Sequence, residues 1–155
     1  MTQNTVYVLP GRCIGCRQCE LVCSFVKEQV YSPQLARIRV VQIESKSLSV
    51  PVTCAYCERP ACEEVCPTGA MIYNPETKSA KVITELCIGC KECVNVCPLG
   101  AVEISTKTGT AIRCDLCEGD PACIEVCPVD ALKYGPYQHT AENKRRERIE
   151  TWNLE

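Results

Sequence analysis

The sequence is poor in large aromatic side chains and has no excess of charge of either sign. Aromatic residues make up 5% of its 155 residues, with a single Trp and a single Phe. Seventeen Lys and Arg against nineteen Asp and Glu give a formal net charge of −2, which argues against the basic surface that nucleic-acid-binding proteins use. With so few rings, the interior must be filled by aliphatic side chains or by a group that is not a side chain.

Long apolar runs are also missing. No stretch of about 18 apolar residues occurs, so we expect no transmembrane helix. Residues 1–10 lack the basic start and long apolar stretch of a secretory signal, and no twin-arginine pair lies near the start. We therefore expect a cytoplasmic protein, with export on a signal-bearing partner as the alternative. In that reducing compartment cysteines are more often metal ligands than disulfides.

Cysteine is abundant, and its sixteen residues form an internal repeat of four groups of four. Groups one and three have the spacing CxxCxxCxxxC, whereas the middle gap widens to four residues in group two and to five in group four. In groups two to four a proline follows the last cysteine, and an alanine follows three residues later. Ser24 takes the proline position in group one. The groups are Cys13, Cys16, Cys19 and Cys23; Cys54, Cys57, Cys62 and Cys66; Cys87, Cys90, Cys93 and Cys97; and Cys114, Cys117, Cys123 and Cys127.

These spacings suit iron–sulfur chemistry. The run CxxCxxCxxxCP is the bacterial ferredoxin signature, in which three cysteines bind one 4Fe-4S cluster and the fourth binds another. Gaps of two residues let one tight loop reach three corners of a cluster. The last two cysteines of each group are four residues apart and share one face of a helical turn, which can therefore lie between two clusters.

Zinc and disulfides are the competing interpretations. All-cysteine zinc sites usually consist of two separated CxxC pairs, and groups two and four fit that pattern when taken alone. Groups one and three do not, because their third cysteine crowds the same site. The sequence therefore predicts iron–sulfur clusters before zinc, and a disulfide framework is favoured least.

Short strand-like segments separate the groups, and no segment shows a full amphipathic helical period. The polar residues 44–47 predict a hairpin turn between two of these strands. Gly15 and Gly89 lie inside cluster loops, where glycine serves either a tight turn or the approach of backbone amides to sulfide. The pattern indicates a small, loop-rich α+β fold. The predicted strands are Val6–Leu9, Arg37–Ile43, Leu48–Val52, Lys81–Ile83 and Thr110–Arg113.

The groups can pair sequentially (one with two, three with four) or in a nested way (two with three inside one with four). Their spacing does not distinguish the two arrangements. The cysteine runs, with residues 55–62 and 114–117, resemble the four-cluster electron-transfer subunits of molybdenum and tungsten pterin oxidoreductases. Residues 12–20 are similar to the opening of the small iron–sulfur subunits of aldehyde oxidoreductases and of related carriers for carbon monoxide dehydrogenases and hydrogenases.

The resemblance covers about residues 5–137, and in that family the nested arrangement is the rule. It implies tandem ferredoxin-like modules in a domain of residues 1–137, with an outer module from 5–35 and 105–137, an inner module from 50–104, and a polar tail at 138–155. Ser24 leaves the implied ligands intact but leaves the turn after Cys23 undetermined. The implied ligand sets are Cys13, Cys16, Cys19 and Cys127; Cys114, Cys117, Cys123 and Cys23; Cys54, Cys57, Cys62 and Cys97; and Cys87, Cys90, Cys93 and Cys66.

Four 4Fe-4S clusters in a small chain indicate an electron relay without catalysis of its own, because sixteen cysteines match sixteen irons. The resemblance implies a large catalytic partner, of the tungsten or molybdenum pterin aldehyde oxidoreductase type, and a further redox subunit or soluble acceptor. A carrier for a carbon monoxide dehydrogenase, hydrogenase or formate dehydrogenase is the alternative, and purely structural clusters are the second. We also expect residues 144–155, with Trp152, to clamp the partner, and end-to-end self-association if both terminal clusters are exposed.

Overall fold

Short strands and helices joined by cysteine-rich loops make up the protein in the computed structural model, which describes residues 4–57, 59–74 and 79–136. This is the α+β class that the sequence predicts. The strands are β1 (Asn4–Val8), β2 (Arg39–Ile43), β3 (Leu48–Val52), β4 (Met71–Asn74), β5 (Ser79–Val82), β6 (Val102–Ile104), β7 (Ala111–Arg113) and β8 (Leu132–Pro136), and the helices are α1 (Gln18–Glu28), α2 (Ala61–Glu64), α3 (Glu92–Val96) and α4 (Ala122–Glu125).

The strands pair into antiparallel two-stranded sheets. Three pairs are hairpins, β2–β3, β4–β5 and β6–β7, whereas β1 pairs with β8 and joins the two ends of the described chain, with Val6 opposite Tyr134. A 3-10 turn at Glu44–Lys46 connects β2 to β3, which confirms the predicted hairpin. Two-stranded sheets have little stability alone, so they depend on the packing around them.

Three strands were not predicted from the sequence: β4, β6 and β8. Each starts one residue after the alanine that follows a Cys-Pro pair, and each begins with a buried apolar residue, Met71, Val102 or Leu132. They have only three to five residues, which is too few for an alternating pattern to be recognised. The signal that finds them is the cysteine repeat, because the element after each Cys-Pro-x-x-Ala is the same.

Helix α1 is the second departure, because the sequence predicts single helical turns and α1 has eleven residues. The shorter α2, α3 and α4 all stop before a Cys-Pro pair, and proline disfavours the helical conformation in the residue that precedes it. In group one, Ser24 has no such effect. Its hydroxyl, fully buried, donates to the Leu21 carbonyl at 2.9 Å and accepts from the Ser32 amide at 3.1 Å. The helix then ends at Gln29, a left-handed C-cap with φ 56°.

Buried side chains form two groups in which cysteines take the place of large apolar residues. The first draws on both ends of the described chain, and the second on its middle. Helix α1 packs on α4, and α2 packs on α3. Among the described residues, no helix has both the length and the apolar character needed to cross a bilayer. The first group contains Val6, Cys19, Cys23, Ala36, Ile38, Val40, Cys54, Tyr56, Leu116 and Leu132, and the second contains Cys62, Met71, Cys93, Val102 and Ala111.

Candidate cluster-binding sites

The loops of cysteine groups one and three have the same backbone course. In both, a glycine between the first two cysteines has a positive φ, 72° at Gly15 and 67° at Gly89. The residue after the second cysteine is also left-handed, with φ 60° at Arg17 and 68° at Lys91, and forms the N-cap of the helix that follows. Two left-handed residues in each loop curl the chain tightly between its cysteines. The sequence repeat is therefore also a structural one.

A Cβ atom would be crowded at both loop glycines, by backbone at Gly89 and by the ends of side chains at Gly15. A Cβ atom at Gly89 would lie 2.4 Å from the carbonyl oxygen of Gly109, and one at Gly15 would lie 2.6 Å from the Ser49 hydroxyl. These contacts support the tight-turn interpretation of the two glycines. The approach of their amides to cluster sulfide stays a prediction.

Four of the predicted ligands line one small cavity: Cys13, Cys16, Cys19 and Cys127. Three belong to group one and the fourth to group four, which lies more than one hundred residues further along the chain. Their convergence is produced by the pairing of β1 with β8 and the packing of α1 on α4. Burial raises the pKa of Cys19, the charges of Glu20, Cys16 and Cys13 add to that change, and a backbone hydrogen bond opposes it. The net pKa is about 12, so bare thiolates are disfavoured there.

Cys23, the last cysteine of group one, lies near the cysteines of group four. Burial raises its pKa, and the charges of Cys114 and Cys117 add to that change. The Arg37 amide opposes it with a 3.2 Å hydrogen bond to the sulfur, and the net pKa is about 11. The pKa of Cys123 is raised by burial and by the same set of thiols, Cys23 included. Cys23 is thus placed with group four, while Cys127 is placed with group one.

Groups two and three, in the middle of the chain, show fewer contacts between their cysteines than groups one and four do. The pKa of Cys62 is raised by burial, lowered by Arg113 and raised again by Cys97 of group three and Cys57 of its own group. Cys93 interacts with Cys87 and Cys90. Cys66 packs against the second buried group, to which Cys93 belongs.

None of the sixteen cysteines forms a disulfide in the structure. In the described residues, no three His, Cys, Asp or Glu side chains are placed to hold a single metal ion. The thiols of Cys13, Cys16, Cys19 and Cys127, which line one cavity, match the donor chemistry of an iron–sulfur cluster.

Backbone amides donate to the sulfur of the last cysteine in each group that has proline. The amide of Ala131 lies 3.2 Å from the Cys127 sulfur, and the amide of Ala101 lies 3.3 Å from that of Cys97. The residue before each alanine is left-handed, with φ 61° at Gly100. This turn directs the alanine amide at the sulfur. The repeated alanine is visible in the sequence, but the donation of its amide to sulfur is not.

Cys66 follows the same pattern with more donors. Slight burial raises its pKa, but the backbone amides of Met71, Thr68 and Ala70, with the Thr68 hydroxyl, outweigh that change, so the net pKa is lowered. A sulfur surrounded by donors is stabilised as the thiolate that a metal requires.

Arg113 is a site residue that sequence reasoning missed. Its side chain is 6% exposed, and its two terminal nitrogens donate to the sulfurs of Cys62 at 3.2 Å and Cys54 at 3.0 Å. Burial raises the pKa of Cys54, and Arg113 opposes that change. No signal in the sequence separates Arg113 from the other Lys and Arg residues, because the cysteines that it contacts lie more than fifty positions away.

Lys27 connects α1 to the loop of group four. Its ammonium lies 2.7 Å from the carboxylate of Asp115, the residue after Cys114. Burial lowers the pKa of Lys27, but the hydrogen bond to Asp115 and the charge there outweigh burial and leave the pKa raised. Because Cys117 also interacts with Lys27, this ion pair places a cation beside the thiols that surround Cys23.

Cysteine loops, amide donors to sulfur and short strand pairs define an iron–sulfur protein of the ferredoxin type. Residues 45–137 match the 4Fe-4S dicluster domain family, and residues 10–26 match a 4Fe-4S binding domain. The chain belongs to the 4Fe-4S dicluster family, and it binds 4Fe-4S clusters.

The chain is similar in sequence to proteins that are named as subunits of oxidoreductases. The aliphatic sulfonate oxidoreductase polyferredoxin-like subunit of Pyrococcus furiosus is 36% identical over 115 residues, which cover 73% of this chain and 66% of the relative. The thiosulfate reductase electron transfer subunit PhsB of Salmonella typhi is 37% identical over 110 residues, 67% of this chain and 57% of the relative. The chain thus spans less than two thirds of the length of either relative. Their names describe subunits of oxidoreductases, and that of PhsB specifies electron transfer.

A solved structure supports the fold. The chain is similar to a chain of the active site complex BamBC of benzoyl coenzyme A reductase in complex with zinc, with a TM-score of 0.54 and 23% identity. The similarity covers 98% of this chain and 90% of that chain.

Proposed function

We propose that the chain is the electron-transfer subunit of an oxidoreductase and relays single electrons through four 4Fe-4S clusters. The observation that carries the proposal is the convergence of Cys13, Cys16, Cys19 and Cys127 on one cavity. A cluster supplies a one-electron carrier whose potential the protein sets. The chain supplies thiolate ligands, amide donors to sulfur and the buried cation of Arg113. No acid, base or nucleophile is required of it.

The proposed ligand assignment is the nested one. It is supported by the placement of Cys127 with group one, of Cys23 with group four and of Cys97 beside Cys62. The assignment of Cys66 rests on the repeat. The four sets are Cys13, Cys16, Cys19 and Cys127; Cys23, Cys114, Cys117 and Cys123; Cys54, Cys57, Cys62 and Cys97; and Cys66, Cys87, Cys90 and Cys93.

The division into an outer and an inner module follows from that assignment. The two groups of buried side chains support it, because one combines both ends of the described chain and the other lies within residues 62–111. Tyr56 and Cys54 belong to the first group, so the modules share a boundary there. The tail at 138–155, with Trp152, lies outside the described residues, and its role as a partner clamp stays a prediction.

The proposed partner is a larger catalytic subunit, with a second redox protein as donor or acceptor. The names of the relatives support an oxidoreductase complex. A tungsten or molybdenum pterin enzyme, as the sequence resemblance implies, is the first candidate. A carbon monoxide dehydrogenase, hydrogenase or formate dehydrogenase is the second, and end-to-end association of copies through exposed terminal clusters is a further proposal.

Iron analysis and a redox titration test the relay. The anaerobically prepared chain should carry about sixteen iron and sixteen sulfide. All four clusters should accept an electron reversibly, whereas purely structural clusters would stay in one oxidation state across the accessible range. Zinc at about four per chain without sulfide would overturn the proposal. Mass spectrometry of the native complex then identifies the metal of the catalytic partner.

A further inference from the structure

Arg113 places a positive charge directly against two cysteine sulfurs. Its guanidinium is buried and forms hydrogen bonds to Cys54 and Cys62. The remaining nitrogen, Nε, has no hydrogen-bond partner in the described residues, so the two sulfurs are the side-chain contacts that hold this cation. A buried charge costs free energy unless an opposite charge compensates it, and no carboxylate is hydrogen-bonded to Arg113 here.

The compensating charge is therefore on sulfur. A planar guanidinium with parallel donors suits two neighbouring acceptors, which an ammonium matches less well. The geometry makes Arg113 the counter-ion of the site that these two cysteines share.

Other cations near cysteine sulfurs are neutralised by carboxylates. Lys27 pairs with Asp115 at 2.7 Å, and Arg37 pairs with Glu28 at 2.6 Å. Arg113 differs because, in the described residues, its side-chain hydrogen bonds are to cysteine sulfurs and not to a carboxylate. A 4Fe-4S cluster with four thiolates carries about −2 when oxidised and gains one more negative charge on reduction. A fixed cation stabilises the more negative form more strongly, since Coulomb energy scales with charge.

We propose that Arg113 raises the reduction potential of the cluster held by Cys54, Cys57, Cys62 and Cys97. This cluster is therefore reduced in preference to the other clusters of the relay more than it would be without Arg113. The inference rests on the proposed ligand assignment and on the proposed function. It makes Arg113 a residue that tunes a cluster without binding iron.

Arg113→Gln in the anaerobic holoprotein removes the charge and keeps a hydrogen-bond donor, on a shorter side chain. In a redox titration followed by electron paramagnetic resonance, one cluster should show a reduced-to-oxidised ratio about tenfold lower at a fixed potential, which equals a shift of about 59 mV for one electron. The same signal should be the one altered in Cys97→Ser, which changes a proposed ligand of that cluster. Arg59→Gln is the matched control, because Arg59 lies in the same cysteine group but its side chain is 88% exposed and faces Glu64.

The outcomes separate this inference from the relay itself. Wild-type protein without reversible clusters would refute the proposed function before any variant is compared. A fully loaded Arg113→Gln protein whose titration matches Arg59→Gln would overturn the role of Arg113 and leave the relay intact. Arg113→Lys keeps the charge, so the proposal requires it to change the ratio less than threefold, whether or not Arg113→Gln assembles. A tenfold change in Arg113→Lys would show that hydrogen-bond geometry, not charge, sets the potential.

Discussion

Ser24→Pro restores the proline that follows the last cysteine in the other three groups, and we expect it to be strongly destabilising. Residue 24 is in the seventh of eleven positions of α1, where its N–H bonds to the carbonyl of residue 20. Proline removes that bond and its ring clashes with the same carbonyl, at a cost of about 3 kcal/mol or more. The variant also loses the Ser24 hydroxyl, which leaves the Ser32 amide without its acceptor, for about 1 kcal/mol or more.

The combined cost of about 4 kcal/mol is a large part of the stability of an ordinary domain. At about 2–4 °C per kcal/mol for a chain of this size, the unfolding temperature should fall by about 8–16 °C. The assay is thermal unfolding of the anaerobic holoprotein at one fixed heating rate, with iron content measured beforehand. Ser24→Ala is the control, because it removes the hydroxyl and leaves the helix unbroken, so it should lose about a quarter of that amount.

Equal unfolding temperatures for Ser24→Pro and wild type would refute the reasoning, because they would mean that group one accepts the turn of the other groups. The same conclusion would follow if Ser24→Ala were as unstable as Ser24→Pro. We also expect Ser24→Pro to lose iron from the site of Cys23, since that sulfur precedes the broken turn.

Three further predictions test the loops, the assignment and the dependence on metal. Gly89→Ala should be at least twice as destabilising as Gly100→Ala in thermal unfolding. Both positions have φ above 60°, but only Gly89→Ala places a Cβ atom 2.4 Å from the Gly109 carbonyl oxygen. Equal losses of stability in the two variants would contradict this prediction. Cys127→Ser should perturb the cluster of group one and Cys66→Ser that of group three in paramagnetic resonance spectra, whereas effects of Cys127→Ser on group three and of Cys66→Ser on group one would indicate sequential pairing. Removal of iron by a chelator should abolish cooperative unfolding monitored by circular dichroism, because metal binding supplies folding free energy. A sharp unfolding transition in the apoprotein would show that the clusters are dispensable for the fold.

The parts of the site that the sequence predicts are those encoded within a few residues. The cysteine groups, their loops and the β2–β3 hairpin depend on local spacing, and all are recognisable in one pass along the chain. Ser24 in place of the repeated proline is also visible in the local sequence. Its result, a helix that continues to Glu28, depends in addition on the position of the Ser32 amide, which donates to the Ser24 hydroxyl.

The parts that the sequence does not predict depend on distant partners. Strand β8 forms against β1, at the opposite end of the described chain, and one buried residue followed by three half-buried ones carries no distinctive pattern. Arg113 reaches cysteines more than fifty positions earlier, so its role is set by tertiary packing alone. The alanine amides are predicted in part. The repeated alanine is visible in the local sequence, but the hydrogen bond from its amide to sulfur depends on backbone geometry.

The pairing of β1 with β8 has a consequence for synthesis on the ribosome. Val6 emerges first and Tyr134 among the last described residues, yet the two lie opposite each other. At about 5–20 residues per second, the first cysteine loop waits for several seconds before Cys127 is made. The middle of the chain has no such delay, because its hairpins close over short separations. We therefore expect clusters to be inserted from the middle of the chain outwards, with the first loop synthesised being the last one to be completed.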